Sequence, residues 1–571
     1  MWTSNPPARV TKQGGLGDEE TKAALKGKLT KMREREYIAP LSRILATINY
    51  FAVKKGDEDI RPVYDSTKSG LNQALWAPWF PLPDLSGLVR ALEDEYWCID
   101  NDYGEMFHNF WMHPELREYS GVDLTPLFGP KPDGSLNVEA WSRLPMGERP
   151  SPYLAVQQGR RLKRKFFGDR LDPSNVLRWD HVDLNLPGSL DYAPGRSWYS
   201  KRRKTGETAA DIQDFVDDLR GTAPSSEDAW QVGSKIGKTS SYYGIQDATR
   251  KRRVQTQTPG AWAGTVVGTV PDRPFVTVTQ EKWDKTKSEL KRAQVAYDQA
   301  MSPEGDKKID HKMLEQVVGF LVHISRAYAL MRVYLNGLYG TLNAWRPDRD
   351  EDGWKIGDMR VDYDTLDSPT RVRILDRLGH DLYALGVLTA AETAPQVPLR
   401  PSKVARPRWL FGDALGPGYG ASGWSPSDRD IWVDYGLWKS DWATKSTSNQ
   451  RELLNTVRIV EGMDERGEID EGTEFWIFTD NFFSESCFYK GGGGIKSQPI
   501  LDLVLRLHKI QMKGKAFIHV VWVAGRRMIA QGTDGLSRGD LTNGVMRGMP
   551  MLEFVPLHKS VLDRRKGHIL D

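Results

Sequence analysis

The chain has 571 residues, 39% hydrophobic and 27% charged, and 79 Lys+Arg against 76 Asp+Glu leave a net charge of +3. That length fits about four domains of ordinary size, and the composition is that of a globular chain with ample core, which excludes global disorder, collagen and disulfide scaffolds. Two cysteines, Cys98 and Cys487, exclude a Cys-only metal cluster and point to a reducing compartment; MWTSNPPARVTKQGG has no apolar core, so a cytoplasmic or nuclear, non-secreted protein is expected.

Residues 1–35 read as an N-terminal extension, polar at first and then weakly helical over ETKAALKGKLTKMRERE. Residues 36–128 mix short apolar runs with proline-rich loops such as LWAPWFPLPD. Within them, KKGDEDIRPVYD places Lys54 and Arg61 on either side of a turn, a pair suited to an incoming triphosphate. WCIDNDYGEMFHNF then offers Asp100 and Asp102 at the end of a strand-like run. A loop-rich basic segment over about 159–208 has many Gly, Pro and Arg, shows little periodicity, and reads as an insertion. FVDDLRG sets Asp217 beside Asp218 at a hairpin tip. Three basic clusters, RRLKRK (Arg160 to Lys165), KRRK (Lys201 to Lys204) and RKRR (Arg250 to Arg253), are either solvated loops or contacts to a polyanion. The third runs on into an aromatic-bearing turn, TPGAWAG. Twenty tryptophans suit rigid, well-packed domains or platforms for flat ligands such as bases.

Residues 277–345 carry apolar side chains at three- and four-residue spacing and predict two helices, EKWDKTKSELKRAQVAYDQAM and HKMLEQVVGFLVHISRAYALMRVYL. The second lies in the most apolar stretch of the chain, but His323, Arg326 and Arg332 mark it as a packed helix and not a membrane span. A proline-rich linker from Ala394 to Arg408 marks a domain boundary. Beyond it, strands (RWLFGDAL, GYGASGW, DIWVDYGLW, EFWIFTDN, KAFIHVVWVAG) alternate with helices (NQRELLNTVRIVEGM, QPILDLVLRLHKIQM), the pattern of an α/β domain with a mixed sheet. Gly491 to Gly494 lack P-loop spacing and read as a loop, the ten histidines show no paired ligand spacing, and there is no nucleophile elbow.

An acidic pair at a turn is by itself an ordinary solvated feature, so Asp217 and Asp218 gain meaning from their neighbours. One carboxylate from each acidic segment would suffice to hold two Mg²⁺ ions, which favour few carboxylates plus phosphate oxygens. In chain order, KKGDEDIRPVYD…LN, IDNDYGEMFHNF, LPMGERPSPYLAVQ, FVDD, and RKRR with PGAWAG resemble motifs of retroelement reverse transcriptases. They match the fingers motifs, motif A, motif B, the YxDD-type motif C, and motif D with the primer grip. The resemblance covers most of 36–345. It implies that Asp102 and Asp217 are metal ligands, with Asp218 the second member of the dyad. Asp102 is preferred to Asp100 because the family places an aromatic five residues after the catalytic aspartate, here Phe107, which would sit under the sugar 2′ position. The resemblance further implies that Lys54 and Arg61 grip the triphosphate and that Gln157 contacts the base pair. Lys251, or Arg250, would pass a proton to pyrophosphate, and Trp262 and Gly264 would lie in the primer grip. Phe215 stands where the family usually has Tyr, MGERPSP departs from the usual small polar residues, and the loop between motifs B and C is long.

Past the linker, four acids fall at telling places: Asp413 in a strand, Glu452 in a helix, Asp480 at a strand end and Asp534 near a helix start. Gathered carboxylates repel one another unless cations hold them together. GDALGPGYG, NQREL, FTDN and HVVWVAGRRMIAQGTDGLSRGD resemble the RNase H of LTR and DIRS-like retrotransposons, with Gly532 and Thr533 replacing the usual residues before Asp534. The resemblance implies that Asp413, Glu452, Asp480 and Asp534 are metal ligands, with Asp540 a weaker substitute for the last.

The expected organisation is an α+β multidomain chain, a right-hand polymerase (fingers, palm, thumb) followed by an α/β RNase H-like domain. Its parts are an extension over 1–35, fingers and palm over 36–276 with the insertion at 159–208, a thumb over 277–345, a connection over 346–407, the RNase H-like domain over 408–560 and a tail over 561–571. The resemblance implies an RNA-directed DNA polymerase of a transposing element, joining dNTPs to a DNA primer on an RNA template. It also implies cleavage of the RNA strand of RNA/DNA hybrids. Mg²⁺, with Mn²⁺ as alternative, would be the cofactor, and no membrane partner is expected. A decayed or domesticated element that only binds nucleic acid and an RNA-dependent RNA polymerase are the alternatives.

Overall fold

The computed structural model describes residues 2–55, 59–80, 85–185, 191–270, 273–346, 368–425, 428–490 and 497–547. The 561–571 tail, the Gly491 to Gly494 run, residues 347–367 of the connection and 186–190 of the insertion lie outside the described residues. The first helix, α1 (Glu19–Glu34), begins where Asp18 accepts the Thr21 amide (2.8 Å). Glu19 and Glu20 in its first turn and Lys31 and Arg33 in its last oppose the helix dipole. Leu25 and Leu29, four residues apart, bury one face against the core of Tyr50, Tyr64 and Trp141. Strands β1 (Asn49–Lys55) and β2 (Asp59–Asp65) form an antiparallel hairpin.

The next elements are β3 (Trp97–Asp102), α2 (Ser151–Phe166), β4 (His181–Leu184), β5 (Tyr199–Arg202), β6 (Asp211–Phe215), β7 (Asp218–Ala223), α3 (Ser226–Tyr242) and β8 (Arg253–Thr256). Four of the strands make an antiparallel sheet in the order β8-β3-β7-β6. Helices α2 and α3 bury its back through Ile99, Ala155, Phe166, Leu219, Val232 and Ile236. Gly233 lets α3 approach closely, since a Cβ there would meet Ile99 Cδ1 at 2.2 Å. Ile99 points toward α3, so alternation sends Asp100 and Asp102 to the open face.

The RRLKRK cluster corrects the loop reading of 159–208, because its residues form the second half of α2. Ala155, Gly159, Leu162 and Phe166 make the buried stripe, and Arg161, Arg164 and Lys165 are exposed. A glycine in the stripe and the dense charge hide that period. β4 and β5 pair as a hairpin further along the insertion.

A second sheet runs β9 (Gly260–Trp262), β10 (Thr265–Gly268), β11 (Phe275–Thr277) and then Val397–Pro398 of the linker. Helices α4 (Gln280–Met301), α5 (His311–Ile324), α6 (Asn336–Asn343) and α7 (Arg377–Leu388) share a core that includes Trp283, Leu290, Leu314, Leu321 and Leu382. The single long second helix expected from sequence is interrupted. It ends at Ile324, and a 3₁₀ segment follows over Ala329–Leu335. Ser325 Oγ donates to Val322 O (2.8 Å) and competes with the helical ladder. The break lets the Tyr328 hydroxyl reach Pro395 O (3.0 Å).

The C-terminal elements are β12 (Arg406–Ala414), β13 (Gly418–Ser425), β14 (Asp428–Leu437), α8 (Ser448–Glu465), β15 (Thr473–Thr479), α9 (Gln498–Gly514), β16 (Phe517–Trp522) and α10 (Thr533–Ser537). They build one mixed sheet in the order β14-β13-β12-β15-β16, antiparallel on the first three strands and parallel from β12 onward. β15 is buried along its whole length, as a central parallel strand must be. Leu410 and Ile477 meet α8 and α9 on one face through Leu453, Val457, Val504 and Leu507. The alternate residues Trp409, Phe411, Trp476 and Phe478 would leave an aromatic second face, and Tyr192 and Trp198 of the insertion pack on it. The Tyr192 hydroxyl lies 2.9 and 2.8 Å from the two carboxylate oxygens of Glu474, whose Oε1 is 3.1 Å from His519 Nε2. The linker is fastened as well, with Lys403 Nζ 2.6 Å from Asp94. No helix among the described residues is long and apolar enough to cross a membrane.

Glu148 is fully buried beside Ser120, whose hydroxyl donates to it (2.6 Å), and burial pushes its carboxyl up to about 7. A carboxyl raised on folding favours the fold below its unfolded value, and that contribution is lost as pH rises through about 7. The Glu148→Gln variant should therefore gain on the parent between pH 5 and 9, by on the order of 2–3 kcal/mol at about 1.4 kcal/mol per pKa unit. Denaturant titrations of both chains across that range measure it, and parallel pH profiles would refute it.

Candidate active sites

The first site forms where β6 turns into β7. Phe215 pairs with Asp218, so Val216 and Asp217 are the two turn residues, and Val216 takes φ +58°. A β-branched residue in that region is strained by roughly 1–3 kcal/mol, a cost found mostly at functional positions. The Tyr103 amide donates to Asp217 O (2.9 Å) and fixes the tip against the end of β3. In the β3–β7 register Asp218 stands opposite Asp102. Three carboxylates from two distant segments thus meet at one end of the open face.

Their electrostatics follow from that crowding. Burial first, then Asp217 and Asp102, push the Asp218 carboxyl up to about 7. Burial and Asp102 likewise raise Asp217. Asp102 is 6% exposed; its Oδ2 accepts from Lys251 Nζ (2.7 Å), and its Oδ1 has no hydrogen-bond partner among the described residues. Asp100 differs. Arg220 grips it at 2.7 and 2.9 Å, and Arg253 Nη1 lies 3.4 Å away, so its charge is already neutralised.

Asp102 and Asp217 open on a cleft of about 900 Å³ whose walls also include Phe107, Arg61, Arg250 and Lys251. Lys54 pairs with Ile60 while Arg61 pairs with Val53, so Lys54 and Arg61 project from opposite faces of the β1–β2 hairpin. Gln157 is half-buried on α2 and does not line the cleft. Trp262 is buried, with the Arg220 guanidinium 5.2 Å from its ring. Gly264 takes φ +82°, and its carbonyl accepts from Lys282 Nζ of α4 (2.8 Å). Both therefore hold strands and helices together and leave no ring or side chain in the cleft. The sequence analysis gives no role to α1, which with Arg35 at its C-terminal cap adds Lys28, Lys31 and Arg35 to the cleft wall. The signal was present as basic residues three and four apart on the helix flank beside Leu25 and Leu29.

The second site lies at the centre of the C-terminal sheet. Asp413 is the penultimate residue of β12, Glu452 projects from the first turns of α8 and Asp480 follows β15. One carboxylate oxygen from each lies within 4.8 Å of the others. Asn455 of α8 donates to Asp413 O (3.0 Å) and Gly420 O (2.9 Å), which locks the helix over the strand pair. Trp522 Nε1 donates to Asp480 O (2.9 Å). Burial, then Asp413 and Asp480, push Glu452 up to about 9, and its Oε2 has no partner among the described residues. Burial chiefly, with Asp480 and Asp534 adding, raises Asp413 to about 6. Asp534 opens α10 and is held by Arg538 at 2.8 and 3.0 Å, beside the other three but outside their group. The Asp540 carboxylate accepts from Thr542 N (2.8 Å) and shapes a turn.

No protein-family model matches the chain, and no curated protein matches it in sequence. Among solved structures, three of the foamy viral protease–reverse transcriptase are similar to it, each with a TM-score of 0.46 and covering 91% of this chain. The dRH form in complex with double-stranded DNA is 10% identical over 72% of its own chain. The complex with an RNA/DNA hybrid is 11% identical over 55%, and a further complex with double-stranded DNA is 11% identical over 86%.

Proposed function

We propose that the chain is an RNA-directed DNA polymerase of a retroelement, with a second centre that cuts the RNA strand of an RNA/DNA hybrid. The observation that carries this reading is the convergence of Asp102, Asp217 and Asp218 beside a cleft whose walls also carry Lys31, Arg61 and Arg250. A divalent cation fits both clusters on their own chemistry. Each gathers carboxylates, Asp218 in one and Glu452 in the other raised by burial and neighbouring charge, and each has a buried carboxylate oxygen without a partner among the described residues, Asp102 Oδ1 and Glu452 Oε2. Asp102, Asp217 and Asp218 would hold the ions in the first, and Asp413, Glu452 and Asp480, with Asp534 beside them, in the second. Bound there, Mg²⁺ or Mn²⁺ supplies charge stabilisation to phosphate oxygens.

The chain's own groups supply the rest. In the cleft, Arg61 and the α1 lysines neutralise a dNTP triphosphate while the primer 3′ oxygen attacks the α-phosphorus and the bond to pyrophosphate breaks. Lys54, on the other face of the β1–β2 hairpin, contributes longer-range attraction. Lys251 leaves Asp102 and passes its proton to the departing pyrophosphate. Phe107 closes the space under the sugar 2′ position and disfavours ribonucleotides. Gln157 of α2 steadies the template base pair from behind, and Trp262 and Gly264 act by shaping the β9–β10 hairpin under the primer end. In the second centre, water adds to the RNA phosphorus and gives up a proton, the bond to the 3′ oxygen breaks, and that oxygen takes up a proton from solvent.

Primer extension on an RNA template with dNTPs or rNTPs tests the reading. DNA synthesis that requires a divalent cation is expected, and Phe107→Val should admit rNTPs, since it removes the ring that excludes the 2′-hydroxyl. Hybrid binding without cation-dependent turnover would favour the non-enzymatic alternative, and preferential rNTP use by the parent chain would favour an RNA polymerase.

A further inference from the structure

The loop that follows the helical turn Leu71–Ala74 carries two tryptophans that face solvent, Trp76 at 55% and Trp79 at 72% exposure. Single exposed apolar residues are ordinary, but two indoles in four residues set a large flat surface in water. The loop is nevertheless well anchored. Leu75 is fully buried and bridges Trp2, and the Phe80 ring meets Tyr153 of α2 edge-on at 5.5 Å.

The anchoring leads straight to the polymerase cleft. Asn72 Nδ2 donates to Gly147 O (2.8 Å), and its Oδ1 accepts the Arg149 amide (2.8 Å). That turn carries Met146, which lines the cleft with Asp102 and Asp217. Met146, Asn72 and the tryptophan loop therefore make a continuous path from the carboxylates outward. Arg149 and Lys68 are exposed on the same two segments. The nearby Asp65 carboxylate is occupied by the Thr67 and Lys68 amides (both 3.0 Å).

We infer that Trp76 and Trp79 form a stacking platform for the unpaired bases of the template strand, with Arg149 and Lys68 at its phosphates; this rests on the polymerase reading. Every base offers a π-face, so a pair of indoles receives a single strand whatever its sequence, and neighbouring cations fix the backbone. Paired bases are already stacked on one another and gain nothing from the platform.

Fluorescence polarisation of the full chain with two labelled RNA/DNA hybrids tests this, one blunt and one with a 5′ RNA overhang of about ten nucleotides, within the span such sites cover. The parent should bind the overhang substrate more tightly. The Trp76→Ala/Trp79→Ala double variant should lose about tenfold or more on it, as expected for removal of base stacking, and hold the blunt hybrid unchanged. The Trp76→Phe/Trp79→Phe variant should restore much of the loss, which a folding defect would not allow. Equal loss on both substrates, unchanged overhang affinity, or a change of sedimentation alone, which would mean a protein partner for the loop, would overturn the inference. A parent chain that binds neither hybrid would instead remove the polymerase reading beneath it.

Discussion

Asp217→Asn should abolish primer extension on an RNA template while hybrid binding persists. Metal-held charge at a transferring phosphate contributes several kcal/mol, and at about 1.4 kcal/mol per tenfold the expected loss is roughly 10³-fold or more. The substitution is nearly isosteric. The hydrogen bond that fixes the hairpin tip uses the Asp217 carbonyl and not its side chain, so the turn survives. One of three crowded charges disappears, so the thermal transition should not fall. Binding should also persist, because duplexes are held mainly through phosphates by groups elsewhere in the cleft and should let go steeply with salt. Extension at the parental rate would remove Asp217 from the centre.

Asp480→Asn should abolish cleavage of labelled RNA in a hybrid and leave extension largely intact. The two carboxylate clusters sit in separate sheets with separate cores, so loss of one charge in the C-terminal sheet leaves the carboxylates at the β3–β7 end in place. Cleavage should also show a particular dependence on pH. A ligand carboxyl must lose its proton to hold a cation, and Glu452 sits up at about 9 before any cation arrives. Less Mg²⁺ should therefore be needed for half-maximal cleavage at pH 9 than at pH 7. Continued cleavage by the Asp480→Asn chain, or a flat metal requirement across that range, would refute the assignment.

What could be read from sequence divides along a physical line. The C-terminal strands are short apolar runs between turn residues, and α8 opens with a capping box at Thr447 and Gln450, so local chemistry suffices. Asp102 and Asp100 share the same strand face, so alternation cannot rank them, and in the sequence only the resemblance, through Phe107 five residues on, prefers Asp102. The distinction comes from Arg220, brought beside Asp100 by the β3–β7 register. The break after Ile324 was hidden because Ser325 sits within an otherwise regular apolar period, and its reward, the Tyr328 contact with Pro395, is 67 residues away. α1 reads as part of an N-terminal extension because nothing local says that its basic flank borders the cleft. Trp262 looked like a contact residue because an indole in a glycine turn has the same sequence signature whether it meets solvent or a buried guanidinium.

Tyr192 and Trp198 on the far side of the C-terminal sheet bear on timing. They pin that sheet to a segment that lies, in sequence, between α2 and β6, so the span from one carboxylate cluster to the other is set by packing and not by a slack tether. On a hybrid threaded past both clusters, degradation would then trail synthesis by a constant number of nucleotides. Loosening that anchorage would leave each rate alone and smear the lengths of the RNA fragments, turning a ruler into a range.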